Sequence, residues 1–187
     1  KNLENLDILD LGCGGGLTCE ALARLNANVT GIDFVSENIE IAKKHAKKSK
    51  LKINYLNEDI DKIKLKNKYD VILVLEVIEH LDNWKNLILN IKKNLKPGGL
   101  LILSTINKTK LSKFFVIFIA ENIIKWIPKK THNYNKLVSA EELTKYLKTE
   151  NFKIKNIQGM NFNLITREWY LSKKFYLMNY FCSAILN

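Results

Sequence analysis

The stretch Ile8-Leu9-Asp10-Leu11-Gly12-Cys13-Gly14-Gly15-Gly16 decides how this 187-residue chain is read. A short apolar run, Leu6 to Asp10, leads straight into four glycines, and apolar residues at helical spacing follow from Leu17 to Leu25. A strand that empties through glycines into a helix is a ligand-binding turn. Glycine lets the backbone bend sharply and approach a bound molecule without a Cβ in the way. The ligand then lies beyond the carboxyl ends of the strands.

Working outward, strands and helices alternate. Val29 to Asp33, Ile53 to Leu56 and Leu100 to Ser104 read as strands. Tyr69 to Leu75 is almost wholly apolar, the pattern of a strand covered on both faces. A helix is expected from Ser36, as its cap, through Lys48, and another from Trp84 to Leu95. Pro97-Gly98-Gly99 reads as a turn. Ser139 with Glu142 three residues on forms a capping box. Phe152 to Gln158 and Phe175 to Cys182 read as two late strands, an antiparallel hairpin at the sheet edge. The sum is an α/β fold with a seven-stranded, mostly parallel sheet and helices on both faces. Residues 1–187 are expected to form one domain.

The glycine spacing narrows the ligand. A dinucleotide loop wants G-x-G-x-x-G, whereas Asp10 to Gly16 reads D-x-G-x-G-x-G. An acid before the first glycine suits an ammonium group, directly or through water. Asp33 closes the second strand, where a carboxylate can accept from two ribose hydroxyls. S-adenosylmethionine carries both groups and no pyrophosphate. Gly12, Gly14, Gly16, Asp10, Asp33 and Phe34 are therefore candidate cofactor residues. Asp59 is placed to accept from an adenine amino group, Ile60 to cover the ring, and Leu75 to line the methionine side. A plain βα turn with a capping Asp is the bland alternative for the loop, and a solvated acid for Asp59.

Glu76-Val-Ile-Glu79-His80 follows the buried fourth strand. Two carboxylates and an imidazole so close together can bind a divalent cation: magnesium or manganese by the oxygens, zinc or iron if the imidazole dominates. His80 can instead act alone as a general base. The structural alternative is that the acids open a helix.

Composition sets bounds. Formal net charge is +11, and of the arginines there are only Arg24 and Arg167, so the positive charge is nearly all lysine. Dispersed lysines without an added RNA-binding module argue against a nucleic-acid partner, although a nucleic-acid methyltransferase stays as an alternative. A cofactor-binding scaffold without activity is another. Cys13, Cys19 and Cys182 have no zinc spacing and read as free thiols of a reducing compartment. Leu111 to Pro128 contains Phe114-Phe-Val-Ile-Phe-Ile-Ala120, seven apolar residues in a row. With Lys113, Glu121 and Lys125 it is too charged for a comfortable span. It reads as a buried helix or as an apolar helical lid lying on a membrane surface. His132, after Pro128, is a candidate base or substrate contact.

With these residues in place, the sequence resembles the ubiquinone-biosynthesis O-methyltransferases, class I enzymes that use S-adenosylmethionine. The matching segments are Ile8–Gly16, Val29–Asp33, Leu75–His80, Lys96–Gly99, Ser104–Asn107, Ala120-Glu121, Ile127–His132 and Asn179–Phe181. The resemblance implies methyl transfer to a hydroxyl of a polyprenyl catechol, cofactor contacts at Gly12, Asp33 and Leu75, and a divalent metal, taken as magnesium, at Glu76, Glu79 and His80. Glu79, His80 and His132 become the candidate catalytic set. It further implies an amino-terminal segment ahead of the first strand, which this sequence lacks, and a ubiquinone-biosynthesis complex as partner. The expected location is the cytoplasmic side of a bacterial inner membrane or the matrix face of a mitochondrial one, held peripherally through Leu111–Pro128.

Overall fold

The computed structural model describes residues 2–60, 63, 67–112, 134–163 and 166–187. Within them, β1 (Asp7–Leu11), β2 (Asn28–Asp33), β3 (Ile53–Asn57), β4 (Tyr69–Leu75), β5 (Leu95–Ile106), β6 (Phe152–Asn163), β7 (Glu168–Ser172) and β8 (Asn179–Leu186) form one sheet. Its order is β3-β2-β1-β4-β5-β8-β6-β7. β1 to β5 run parallel, β8 runs antiparallel to both β5 and β6, and β7 is antiparallel to β6. The helices are α1 (Leu17–Ala23), α2 (Ser36–Lys48), α3 (Trp84–Asn94), a single turn α4 (Lys110–Ser112) and α5 (Ala140–Thr149).

Side-chain alternation divides the core in two. Leu9, Leu11, Ile72, Val74, Leu101 and Leu103 face one way and pack with Leu87, Ile88 and Ile91 of α3 and Leu143 and Leu147 of α5. Ile8, Val29 and Leu73 face the other way and pack with Cys19 of α1 and Ile39, Ala42 and Ala46 of α2. Both faces of the central strands are thus covered, which is why β4 reads as an unbroken apolar run.

The sheet has eight strands where the sequence pattern indicated seven. The extra one, β7, pairs with the far end of β6, from Gly159↔Ser172 to Asn163↔Glu168. Its burial is low along its length, so no alternation of apolar and polar residues announces it. The last strand starts at Asn179, not Phe175. Phe175, Tyr176 and Leu177 are instead an exposed loop. Pro97-Gly98-Gly99 lies within β5 as an irregularity: Gly98 takes φ 73°, and the register against β4 shifts between Tyr69 and Val71. α2 is capped by Val35, with Ser36 as its first helical residue. The Ser139 cap is present, its hydroxyl accepting from the Glu142 N–H at 3.1 Å. Leu111 and Ser112 belong to the turn Lys110–Ser112, and the remainder of the apolar segment, 113–128, lies outside the described residues. The three cysteines are free and buried.

Candidate functional site

The parallel strands deliver their carboxyl ends to one edge of the sheet, and a cleft of ≈ 710 Å³ opens there. Gly12, Asp33, Phe34, Asn57, Glu58, Asp59, Ile60, Glu76, Val77, His80 and Leu81 line it. These residues end β1, β2, β3 and β4 and so come from four separate stretches of chain.

The glycine loop forms one lip. Gly12 has φ 79°, and a Cβ there would run into the Val77 side chain, so both conformation and space require glycine. The N–H groups of Gly12 and Cys13 share the Ile32 carbonyl at 2.8 and 3.0 Å, which ties the loop to β2. Asp33 completes the tie. Its Oδ2 accepts from the Gly14 N–H at 2.9 Å, and its Oδ1 accepts from the Val35 N–H at 2.9 Å and the Asn38 amide at 3.4 Å. The carboxylate therefore fixes the loop while still lining the cleft, and its unfilled lone pairs are what a diol can use. Asn57, which the sequence reading passed over, donates to the Asp33 carbonyl at 3.0 Å and anchors β3 to the same corner. Phe34 is 70 % exposed at the rim, and Ile60 is buried beneath.

Four candidate cofactor residues stand back from the cleft lining: Asp10, Gly14, Gly16 and Leu75. Gly16 is buried behind the loop. Asp10 is 2 % exposed and accepts from the Cys19 thiol at 3.3 Å. Burial pushes its pKa up to about 6, with the nearby Asp33 charge adding to the rise. It underlies the loop, so any link to an ammonium group has to pass through the loop or a water.

Glu76 lines the opposite lip, with Glu79 buried behind it. Glu76 holds φ 54°, a left-handed backbone rare for a side chain of this size and typical of functional turns. The Ser104 hydroxyl donates to its Oε1 at 2.6 Å, and its own N–H donates to the Ser104 carbonyl at 3.0 Å. Glu79, in the short 3₁₀ turn Ile78–His80, is 3 % exposed and accepts from the Thr105 hydroxyl at 2.8 Å. Burial first, then the adjacent Glu76 charge, holds its carboxyl well above the usual carboxylate range. Two carboxylates in contact favour a shared proton or a cation between them. His80 lies on the cleft wall and is exposed. Among the described residues, no group of three or more His, Cys, Asp or Glu side chains stands close enough to hold a metal ion. The structure thus assembles the carboxylate pair and leaves the imidazole outside it. The pair fits a hard divalent cation in charge and donor type; the three-ligand set is not gathered. His132 lies outside the described residues.

The sequence reading also missed Ser104 and Thr105 as site residues, although Ser104-Thr-Ile-Asn107 was a noted segment. Their hydroxyls serve one glutamate each. The signal available was a polar pair at the end of an otherwise apolar strand.

A parallel sheet with a glycine loop after β1, an acid ending β2 and a cleft across both is the arrangement of S-adenosylmethionine-dependent methyltransferases. A methyltransferase-domain family model matches residues 1–157. Among solved structures, magnesium protoporphyrin IX methyltransferase from Synechocystis PCC 6803 with bound S-adenosylhomocysteine has the same fold. It has a TM-score of 0.72 at 21% identity, with 100% of this chain and 76% of that one covered. The chain belongs to the ubiquinone biosynthesis O-methyltransferase family. It is 45% identical to the Rickettsia typhi protein of that name over 172 residues, 92% of this chain and 70% of the relative. The Pelagibacter ubique protein of the same name is also 45% identical, over 90% of this chain and 70% of its own length.

Proposed function

We propose that this methyltransferase moves the methyl group of S-adenosylmethionine to a ring hydroxyl of a polyprenylated catechol. The observation that carries the reading is the opposed lips of one cleft: Asp33 with the glycine loop on one side, and Glu76, backed by the buried Glu79, on the other. The Rickettsia and Pelagibacter relatives are ubiquinone biosynthesis O-methyltransferases by name, which supports a hydroxyl of a ubiquinone precursor as the acceptor.

The adenosine lies along Asp33, Phe34, Asp59 and Ile60, with the ribose hydroxyls donating to Asp33. The methionine end passes Gly12 toward Leu75, and its ammonium is balanced by Asp10. The sulfonium methyl then points at the space bounded by Glu76 and His80. A catechol oxygen attacks the methyl carbon in line, the carbon–sulfur bond breaks, and its electron pair neutralises the sulfur. Alignment is the main demand, because the sulfonium is already a good leaving group. The hydroxyl proton passes to His80 or to the Glu76–Glu79 pair. A divalent metal such as magnesium would be held by Glu76 and Glu79, with His80 joining as a third ligand only if its side chain moved toward the pair, and would make the hydroxyl more acidic. His132 is a further candidate base from 113–133. Leu111–Pro128 is the proposed lid that meets the membrane, where a polyprenyl tail resides. No helix among the described residues is long and apolar enough to cross a membrane.

The test is methyl transfer to a short-tailed prenyl catechol, with and without chelator. Turnover that falls with chelator and returns with magnesium supports the whole reading. Chelator-insensitive turnover would leave the acceptor in place and remove the metal. No transfer, with S-adenosylhomocysteine still bound, would remove the acceptor.

A further inference from the structure

Beneath the glycine loop lie two thiols that methyl transfer does not use. Cys13 belongs to the loop itself, and Cys19 lies in the first turn of α1. They pack in the same core layer, whereas Cys182 lies in the other. The Cys19 thiol donates to the Asp10 carboxylate at 3.3 Å. It is also in hydrogen-bond contact with the Cys13 sulfur. That contact first, then burial and the Asp10 charge, holds its pKa well above the ordinary thiol range. The Tyr55 hydroxyl reaches Cys19 as well and donates to the Gly16 carbonyl at 3.4 Å. Gly31 of β2 leaves room for the Cys19 sulfur, since a Cβ there would stand 2.8 Å from it.

Two thiols in contact can share a metal or join. Among the described residues, no group of three or more His, Cys, Asp or Glu stands close enough to hold a metal ion. Joining is within reach. The chain between the two cysteines is Gly14-Gly15-Gly16-Leu17-Thr18, short and mostly glycine, so it can follow a small shift of Cys13. Access differs between the two sulfurs. Cys13 keeps 9 % exposure beside the half-buried Gly14 and Gly15, whereas Cys19 has none. A small oxidant therefore meets Cys13 first, with Cys19 placed behind it as a resolving thiol.

We propose that Cys13 and Cys19 are a redox modification site, which a peroxide closes into a disulfide that loosens the cofactor loop. The Cys13 sulfur attacks one peroxide oxygen and the oxygen–oxygen bond breaks. The Cys13 proton passes to the departing oxygen, which leaves as water or an alcohol, and Cys13 becomes a sulfenic acid. The Cys19 sulfur then attacks the Cys13 sulfur and the sulfur–oxygen bond breaks. The Cys19 proton passes through Asp10, which already accepts its hydrogen bond, to the departing hydroxide, which leaves as water. Two thiols are oxidised and one peroxide is reduced. Thiol exchange with a dithiol reverses the bond.

A disulfide is only about 2.0 Å long, shorter than any contact between thiols, so closing it draws Cys13 toward α1. The Gly12 and Cys13 N–H groups share the Ile32 carbonyl, and the Gly14 N–H reaches Asp33. The pull strains these ties at the cofactor corner and strips Asp10 of its thiol donor.

The experiment treats the reduced full chain with hydrogen peroxide, unfolds it in iodoacetamide and maps the peptides by mass spectrometry. A Cys13–Cys19 cross-link should form, Cys182 should be recovered alkylated, and dithiothreitol should reverse the link. In calorimetry the cross-linked protein should bind S-adenosylhomocysteine on the order of tenfold more weakly and recover on reduction. Cys13→Ala should keep its own untreated affinity after peroxide. Cys19→Ser should stop at a Cys13 sulfenic acid that dimedone traps, so either variant serves if the other fails to fold. Neither readout depends on which acceptor is methylated. Cys13 and Cys19 both alkylated after peroxide, a link to Cys182 or between chains, or a cross-linked protein that binds S-adenosylhomocysteine as tightly as the reduced one would overturn the proposal.

Discussion

The two lips of the cleft handle negative charge in opposite ways. Asp33 is surrounded by N–H donors from Gly14, Val35 and Asn38, so its charge is met within the protein. Glu79 receives one hydroxyl, from Thr105, and faces another carboxylate. The first lip is finished and rigid, fit to receive neutral hydroxyls. The second is in deficit until a proton or a cation arrives. The donor side of a methyl transfer needs only positioning, whereas the acceptor side must take up a proton, and the electrostatics divide accordingly.

The largest effect that would break this contrast is at Gly12. Gly12→Val should weaken S-adenosylhomocysteine binding by at least a hundredfold in calorimetry, because a side chain there meets Val77 and φ 79° strains it. Binding within a few-fold of normal would show that the loop is not fixed from beneath. On the other lip, Glu79→Gln should cut turnover by about a hundredfold. It should not lower the melting temperature, since it removes a buried like-charge contact and keeps an acceptor for Thr105. Loss of both stability and activity would mean that the carboxylate pair is structural.

A smaller effect is linked to pH. The pKa of Asp10 rises from 3.8 to about 6 on folding, so the folded chain holds a proton that the unfolded chain has released across that interval. This group's contribution to stability is full below about pH 4 and is lost as pH rises through 6, a swing of about 3 kcal/mol at most. A bound ammonium reverses the balance. Cofactor affinity should therefore climb between about pH 5 and pH 7, and Asp10→Asn should flatten the climb. A flat profile in the unaltered protein would disconnect Asp10 from the cofactor. Smallest of all, Ser139→Ala removes the α5 cap, which is not part of the cleft lining. It should cost about 1 kcal/mol in denaturant unfolding and leave kcat unchanged.

Much of this was legible in the residues. The glycine spacing, Asp33 and the apolar β4 announced a parallel sheet and its cofactor corner, because buried strands and tight turns restrict composition locally. Ser139–Glu142 gave the start of α5 for the same reason. The edge was less legible. β7 is exposed along its length and the Phe175–Leu177 run is a loop, so apolar residues there carry no strand signal. Hydrophobic patterning reports burial, and at this edge apolar residues face solvent.

The donor lip was determined by the sequence itself, since its glycines and Asp33 act through backbone geometry that neighbouring residues dictate. What only tertiary structure decided is the state of each carboxylate. Asp10, Asp33, Glu76 and Glu79 are alike as acids in a list of residues. Folding buried Asp10 beneath the loop, supplied Asp33 with donors, and pressed Glu79 against Glu76. Those differences come from desolvation and long-range neighbours, which no local pattern encodes.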